Sequence, residues 1–338
     1  MTGMELWLPI VWSALIAVAV LMYVVMDGFD LGIGVLFPFA PGEESRDTMM
    51  NSVAPIWDGN ETWLILGGGG LLAAFPVAYA TILPALYLPV ILMLLALVFR
   101  GVAFEFRFKA SPENRWVWNL AFAGGSTLAA FAQGVILGAF IQGFAVANEQ
   151  FVGGAFDWLT PFALLTGLAL VAGYALLGAT WLILKTEGDL QGWAYDTTRW
   201  LLGLVTVFLA AVSLWTPFLD NAIHLRWFTW PNIAFLSPVP IVTALVLLRI
   251  WQTVQRRYEF QPFLLSIGLF CLSYLGLGIS VYPHVVPPEV TIWSAANHNA
   301  SLLFMLVGIL ILLPVILVYT AYTYWVFRGK VRPGEGYH

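Results

Sequence analysis

Nine apolar runs, each about long enough to cross a hydrocarbon core, leave this chain few choices of fold. By number they are 7–27, 61–80, 82–100, 117–143, 158–184, 198–217, 233–251, 262–282 and 302–326. A spanning helix takes about 20 residues. Within lipid the backbone must pair its own N–H and C=O groups, so spans of this kind are helices. The chain is 60% hydrophobic and only 10% charged, where a soluble domain carries about 25%. The expected architecture is an all-α integral membrane protein of about nine transmembrane helices. It forms a single domain over 1–338, built as two four-helix bundles, 1–145 and 155–285, plus a final helix 302–326. The closest boundary falls between Ala80 and Pro84, where a tight turn at TILP separates two spans. One kinked helix of about 40 residues there would be twice the membrane thickness. The first run is read as a helix and not as a signal peptide, since no Lys or Arg precedes it.

Charge orients the bundle. The connections after the first, third, fifth, seventh and ninth spans hold Arg46; Arg100, Arg107, Lys109 and Arg115; Lys185 and Arg199; Arg249, Arg256 and Arg257; and Arg328, Lys330 and Arg332. Only Arg226 of the 14 basic residues lies on the other side. Cytoplasmic loops collect Lys and Arg, so the N-terminus is expected outside and the C-terminus in the cytoplasm. Trp215, Trp227, Trp230 and Trp293 fall near outer span ends and Trp57, Trp116 and Trp325 near inner ends, as interfacial anchors do. The net charge of −5 argues against nucleic acid.

Against this background the acids stand out. MDGFDLGIG (Met26–Gly34) puts Asp27 and Asp30 at the inner end of the first span, and WDGNETW (Trp57–Trp63) puts Asp58, Asn60 and Glu61 at the inner start of the second. Arg100 ends the third, with Glu105 just beyond. If the first helix continues by a turn, Asp27 and Asp30 share a face, and Gly28 and Gly32 form a G-x-x-x-G pair that admits a neighbouring helix. The run Gly67–Gly70 weakens the second helix unless something packs closely on it. Carboxyl groups near hydrocarbon pair, face a wet cavity or carry protons. Helix capping and head-group binding are the plainer readings, with Asp58 as an N-cap. Four acids and one Arg at a common level favour a proton-access site.

Other chemistry finds little support. The His residues, 224, 284, 298 and 338, are not in mid-membrane or paired on facing spans as a bis-His haem requires. The lone Cys271 excludes a disulfide within the chain. No phosphate-binding loop, zinc motif or nucleophile triad is present. A proton-coupled transporter acting alone is the main competing class. It would place ionisable groups at the midplane, where this chain has only Ser126, Thr127, Gln133 and Gln142.

Three ordered motifs, MDGFDLGIG, NSVAPIWDGNETW (Asn51–Trp63) and FRGVAFEFRFK (Phe99–Lys109), with the C-terminal LPVILVYTAYTYWVFRGKV (Leu313–Val331), resemble subunit II of the cytochrome bd-type quinol oxidases. The likeness runs the whole length, mainly as hydrophobic pattern over 145–300, and the motif version is similar to the cyanide-insensitive branch. The resemblance implies a heterodimeric respiratory terminal oxidase of the bacterial cytoplasmic (inner) membrane that oxidises quinol and reduces dioxygen to water. Haems b and d and the quinol-oxidising loop belong to subunit I, the partner, and some members add a small accessory subunit. Subunit II supports that partner and helps deliver cytoplasmic protons; in some members it holds a tightly bound quinone. Carried onto these motifs, Asp58 becomes the proton-path carboxylate, with Asp27 and Asp30 near the entrance and Glu105 a further candidate. Trp57 and Arg100, beside Asn60 and Glu61, become candidates for quinone contact or electrostatic support. A purely structural subunit of the same complex is the third reading.

Overall fold

The computed structural model describes residues 3–148, 150–332 and 334. Twelve α-helices account for most of them: α1 Gly3–Leu36, α2 Glu43–Asn51, α3 Trp57–Ala74, α4 Pro76–Phe106, α5 Arg115–Gln142, α6 Pro161–Lys185, α7 Gly188–Trp215, α8 Asn221–Phe228, α9 Asn232–Leu236, α10 Pro238–Gln255, α11 Gln261–Val281 and α12 Asn299–Val326. Two small antiparallel hairpins complete the fold, β1 Val146–Ala147 with β2 Gln150–Phe151, and β3 His284–Val286 with β4 Val290–Thr291. Among the described residues, eight helical segments are long and apolar enough to cross a membrane. The ninth long helix, α3, has acids in its first turns and four glycines in its middle.

Several boundaries differ from the sequence expectation. The first helix does not end at its acids but runs nine residues beyond Asp27, through the whole MDGFDLGIG motif. The break between the second and third spans is not at TILP but at Phe75, whose φ of −132° and ψ of 65° lie outside the helix region. Pro76 follows, and a residue before proline is pushed out of the α region. Pro84 and Pro89 lie inside α4, which kinks at Leu86. Proline in a helix interior removes one ladder bond and bends the helix. The sixth expected span, 198–217, is α7, which begins ten residues earlier at Gly188.

Successive long helices alternate in direction. At one end, Trp12 Nε1 donates to Leu302 O at 3.1 Å, Trp293 Nε1 to Leu6 O at 3.1 Å and Asn297 Nδ2 to Ala73 O at 2.9 Å. These bonds join the start of α1, the end of α3 and the approach to α12. Both hairpins belong to this end, where Gly143 packs on Pro287. At the other end, Tyr324 meets Asn60 at 2.9 Å and Lys185 meets Gly329 O at 2.6 Å.

Lipid gives helices no hydrophobic reason to associate, so small residues and close packing hold a bundle together. Here α1 crosses α6 where Gly32 meets Gly178: a Cβ built on Gly32 would lie 1.8 Å from Tyr174 O. α5 meets α6 where Gly134 and Gly138 face Thr166, whose Oγ1 is 2.8 Å from Gly134 O. Phe29 fills the adjoining core, stacked on Trp181 at 4.3 Å and edge-on to Phe263 at 5.5 Å.

The C-terminal segment is tied down at the acid-bearing end. Lys330 Nζ pairs with Glu259 at 2.9 Å and reaches Thr186 O at 3.0 Å, and Val331 N donates to Lys185 O at 2.8 Å. Hydrogen bonds from Lys330 and Gln191 hold the Glu259 carboxyl below its ordinary value. A lowered carboxylate adds stability above its unfolded pKa, about 4.3, and loses it as pH falls through the folded value. Amide exchange at residues 328–332, corrected for intrinsic rate, is therefore expected to speed up below about pH 4.3. Glu259→Gln is expected to show the faster exchange already at neutral pH; equal exchange in the variant would remove this latch.

Candidate functional site

Asp27 and Asp30 sit inside α1 and are fully buried, 0% and 1% exposed. The helix can continue past them because neighbouring elements supply partners. Arg100, from the last turns of α4 and 0% exposed, donates from Nη1 to Asp27 Oδ1 at 2.5 Å and from Nη2 to Glu61 Oε2 at 3.1 Å. Asn60, one residue earlier on α3, donates to Asp30 Oδ2 at 2.7 Å and to Met26 O at 3.3 Å. Its own Oδ1 accepts the Tyr324 hydroxyl of α12 at 2.9 Å. The guanidinium carbon of Arg100 lies 5.5 Å from the ring centre of Trp57, which stacks on Phe104 at 4.8 Å. A cation over an aromatic face adds about 0.5–2 kcal/mol, more when desolvated.

Four long helices therefore converge on one acid site, and its charges are uneven. One guanidinium faces the carboxyl groups of Asp27, Asp30 and Glu61. Asp30 Oδ1, Asp27 Oδ2 and Arg100 Nε accept or donate no hydrogen bond among the described residues. Buried polar atoms without partners are rare in folded proteins, and ionisable groups inside a membrane face partners, cavities or proton paths.

Two expected members stand apart. Asp58 is exposed on the far side of α3, with Gly59 and Thr62 beside it; its backbone carbonyl takes the Thr62 hydroxyl at 3.1 Å. Glu105 lies outside the cluster, exposed, paired at 3.5 Å with Lys109 of the turn that follows α4. The glycine run divides similarly. Gly67 and Gly70 pack on Val20 and Ile16 of α1, whereas an added Cβ on Gly68 or Gly69 meets nothing within 4 Å.

Sequence reasoning passed over several side chains here. Tyr324 lies 264 residues from Asn60 in the chain, and only the C-terminal motif could have drawn attention to it. Arg107, read only as a topology charge, is buried and holds Asp47 at 2.5 Å, Glu43 at 3.1 Å and Asn119 at 2.6 Å. That fastens α2 and the start of α5 beside the acid site. The histidines lie at the opposite end: His298 Nδ1 accepts the Ala300 N–H at 3.4 Å, His284 opens β3 and His224 lies in α8. His338 is outside the described residues. Among the described residues no group of three His, Cys, Asp or Glu could hold a metal ion.

Comparison with known proteins identifies the arrangement. Residues 8–327 match the family model of cytochrome bd terminal oxidase subunit II. The chain is 30% identical to cytochrome bd-I ubiquinol oxidase subunit 2 of Escherichia coli, over 96% of this chain and 95% of that protein. It is 29% identical to cytochrome bd ubiquinol oxidase subunit 2 of Bacillus subtilis, over 96% and 97%. Its fold is similar to a chain of the bd oxidase from Geobacillus thermodenitrificans, with a TM-score of 0.73 at 16% identity, covering 95% of this chain and 98% of that one. The chain thus belongs to the cytochrome bd terminal oxidase subunit II family, as a multi-pass helical subunit of a respiratory oxidase of the bacterial inner membrane.

Proposed function

We propose that this subunit supports a haem-bearing subunit I and admits cytoplasmic protons for the reduction of dioxygen. The partner carries haems b and d and oxidises quinol. The chain lies with its N-terminus outside and its acid site at the cytoplasmic level, as two four-helix halves and a final helix. Oxygen reduction then consumes protons inside while quinol oxidation releases them outside, which builds a membrane potential. The observation that carries this reading is the pairing of one buried Arg100 with both Asp27 and Glu61, with buried Asp30 held beside them by Asn60. Intramembrane acids of this kind mark proton relays.

Asp58 joins the path from the outside face of α3. An exposed carboxylate beside bare glycines suits a protein partner better than lipid tails, where small residues let backbones approach. Trp57 supports Arg100 and is not a quinone platform in this reading: Phe104 and Arg100 already flank its ring.

Asp58→Asn is expected to lower quinol-dependent oxygen uptake per haem by about 10-fold or more, in the range of a lost proton-transfer group, while haem content stays intact. Unchanged turnover would remove Asp58 from the path. A loss of haem with turnover per haem unchanged would favour an assembly role, and uptake activity without any partner would favour a transporter.

A further inference from the structure

Next to the acid site lies a second buried polar group that the proton path above does not use. Tyr23 of α1, Gln133 of α5 and Tyr174 of α6 are 4%, 8% and 0% exposed. Gln133 Nε2 lies 2.7 Å from the Tyr23 hydroxyl, and the Tyr174 hydroxyl lies 2.8 Å from Gln133 Oε1. An amide oxygen only accepts, so Tyr174 donates to Gln133, and Gln133 donates in turn to Tyr23. The proton of Tyr23 is then left over. One turn further along the same face of α1 stands Asp27, whose Oδ2 accepts no bond among the described residues and which interacts with Tyr23. The opposite amide orientation would spend the Tyr23 proton on Gln133 and leave Asp27 Oδ2 without a donor, Arg100 serving only Oδ1. The donors therefore run in one direction, Tyr174 to Gln133 to Tyr23, and leave the Tyr23 hydroxyl proton available to Asp27, a polarity that strengthens each bond in the chain.

The glycines fit this arrangement. A Cβ on Gly28 would lie 2.7 Å from Tyr174 Cε1, so the residue after Asp27 is bare where the phenol ring of α6 lies across α1. A plain interhelical tie would also join α1, α5 and α6, but it would not need to end on an ionisable group.

We propose that Tyr23, Gln133 and Tyr174 are positioning residues for Asp27, a hydrogen-bonded triad from three helices that holds this carboxyl in the geometry from which it exchanges protons. The proposal rests on the proton-entrance reading of the acid site. The other groups facing Asp27 are Asp30 on its own helix, Glu61 from α3, Arg100 from α4 and Tyr324 from α12; they stay constant in the test.

The test is oxygen uptake per haem against pH in the intact complex carrying Tyr23→Phe, Tyr174→Phe, Asp27→Asn, or Tyr23→Phe with Asp27→Asn. Removing a donor to a carboxylate makes the proton bind more tightly, so Tyr23→Phe is expected to move the pH profile about one unit upward. Tyr174→Phe, one bond further out, moves it in the same direction by less. Tyr23→Phe has no further effect on the profile once Asp27 is Asn. Profiles that superimpose on the parent while Asp27→Asn slows turnover would overturn the triad's role and leave the entrance reading standing. So would a loss of haem with an unmoved profile. Unchanged turnover and profile in Asp27→Asn would instead defeat the entrance reading itself. Should Asp27→Asn fail to assemble, the carboxyl bands of isotope-labelled aspartate in the redox-induced infrared difference spectrum decide. A band that moves in Tyr23→Phe supports the triad, and unmoved bands overturn it.

Discussion

Arg100→Met is expected to cost about 3–5 kcal/mol and to prevent recovery of a haem-loaded complex, because it leaves a buried carboxylate uncompensated. Both side chains of the Arg100–Asp27 pair are 0% exposed, so no water takes over the lost contact. The charge on Asp27 is the specific source of that cost. Arg100→Met combined with Asp27→Asn should therefore recover a good part of the stability, since replacing both members of a buried pair is often close to neutral. Thermal release of haem from purified complexes measures both effects. A double variant as unstable as Arg100→Met alone would mean that Arg100 matters through Glu61 or Trp57 and not through Asp27.

The crossing of α1 and α6 gives the second large effect. Gly32→Ala puts a methyl group 1.8 Å from Tyr174 O and 2.9 Å from Gly178 N. Both obstacles are backbone, so no side chain can swing away and the helices must separate. Overpacking costs about 1–3 kcal/mol and more where backbone must move, which places this change at the upper end. Gly178→Ala meets Gly32 C at 2.5 Å and should behave alike. Gly203→Ala in α7, where an added Cβ meets nothing within 4 Å, should be neutral or slightly stabilising through helix propensity. The yield of folded, haem-associated complex from membranes ranks the three. Wild-type yield from Gly32→Ala would show that the crossing is looser than its geometry states.

Much of this fold is readable from the residues. Run lengths pick out most of the long helices without any knowledge of packing. The acids at Asp27, Asp30 and Glu61 share a level because alternate helices reverse direction, and that too follows from counting spans. The break at Phe75 was open to reading from Pro76, but several prolines compete across 76–89. A proline inside a membrane helix is tolerated when neighbours satisfy the freed groups. Which side of a helix a residue occupies is harder. Asp58 and Glu61 are three residues apart in one motif, yet one faces outward and the other meets Arg100. In an apolar solvent the lipid-facing and protein-facing sides of α3 are alike in composition, so apolar spacing along the chain does not tell them apart. The triad was hidden for a different reason. Tyr23, Gln133 and Tyr174 are single polar groups in apolar runs, 110 and 41 residues apart, and their helices meet through glycine contacts that apolar spacing does not show, Gly28 and Gly32 of α1 on α6 and Gly134 and Gly138 of α5 on α6.

The most direct measurement is proton uptake during a single reaction with oxygen. The fully reduced complex is mixed with dioxygen in weak buffer, and a pH-indicator dye reports protons taken up as the haems are oxidised. With haem content matched to wild type, Asp27→Asn is expected to slow the uptake phase by about 10-fold or more while the initial binding of oxygen keeps its rate. Uptake at the wild-type rate in that variant would contradict the claim that protons enter through the acid site of this subunit.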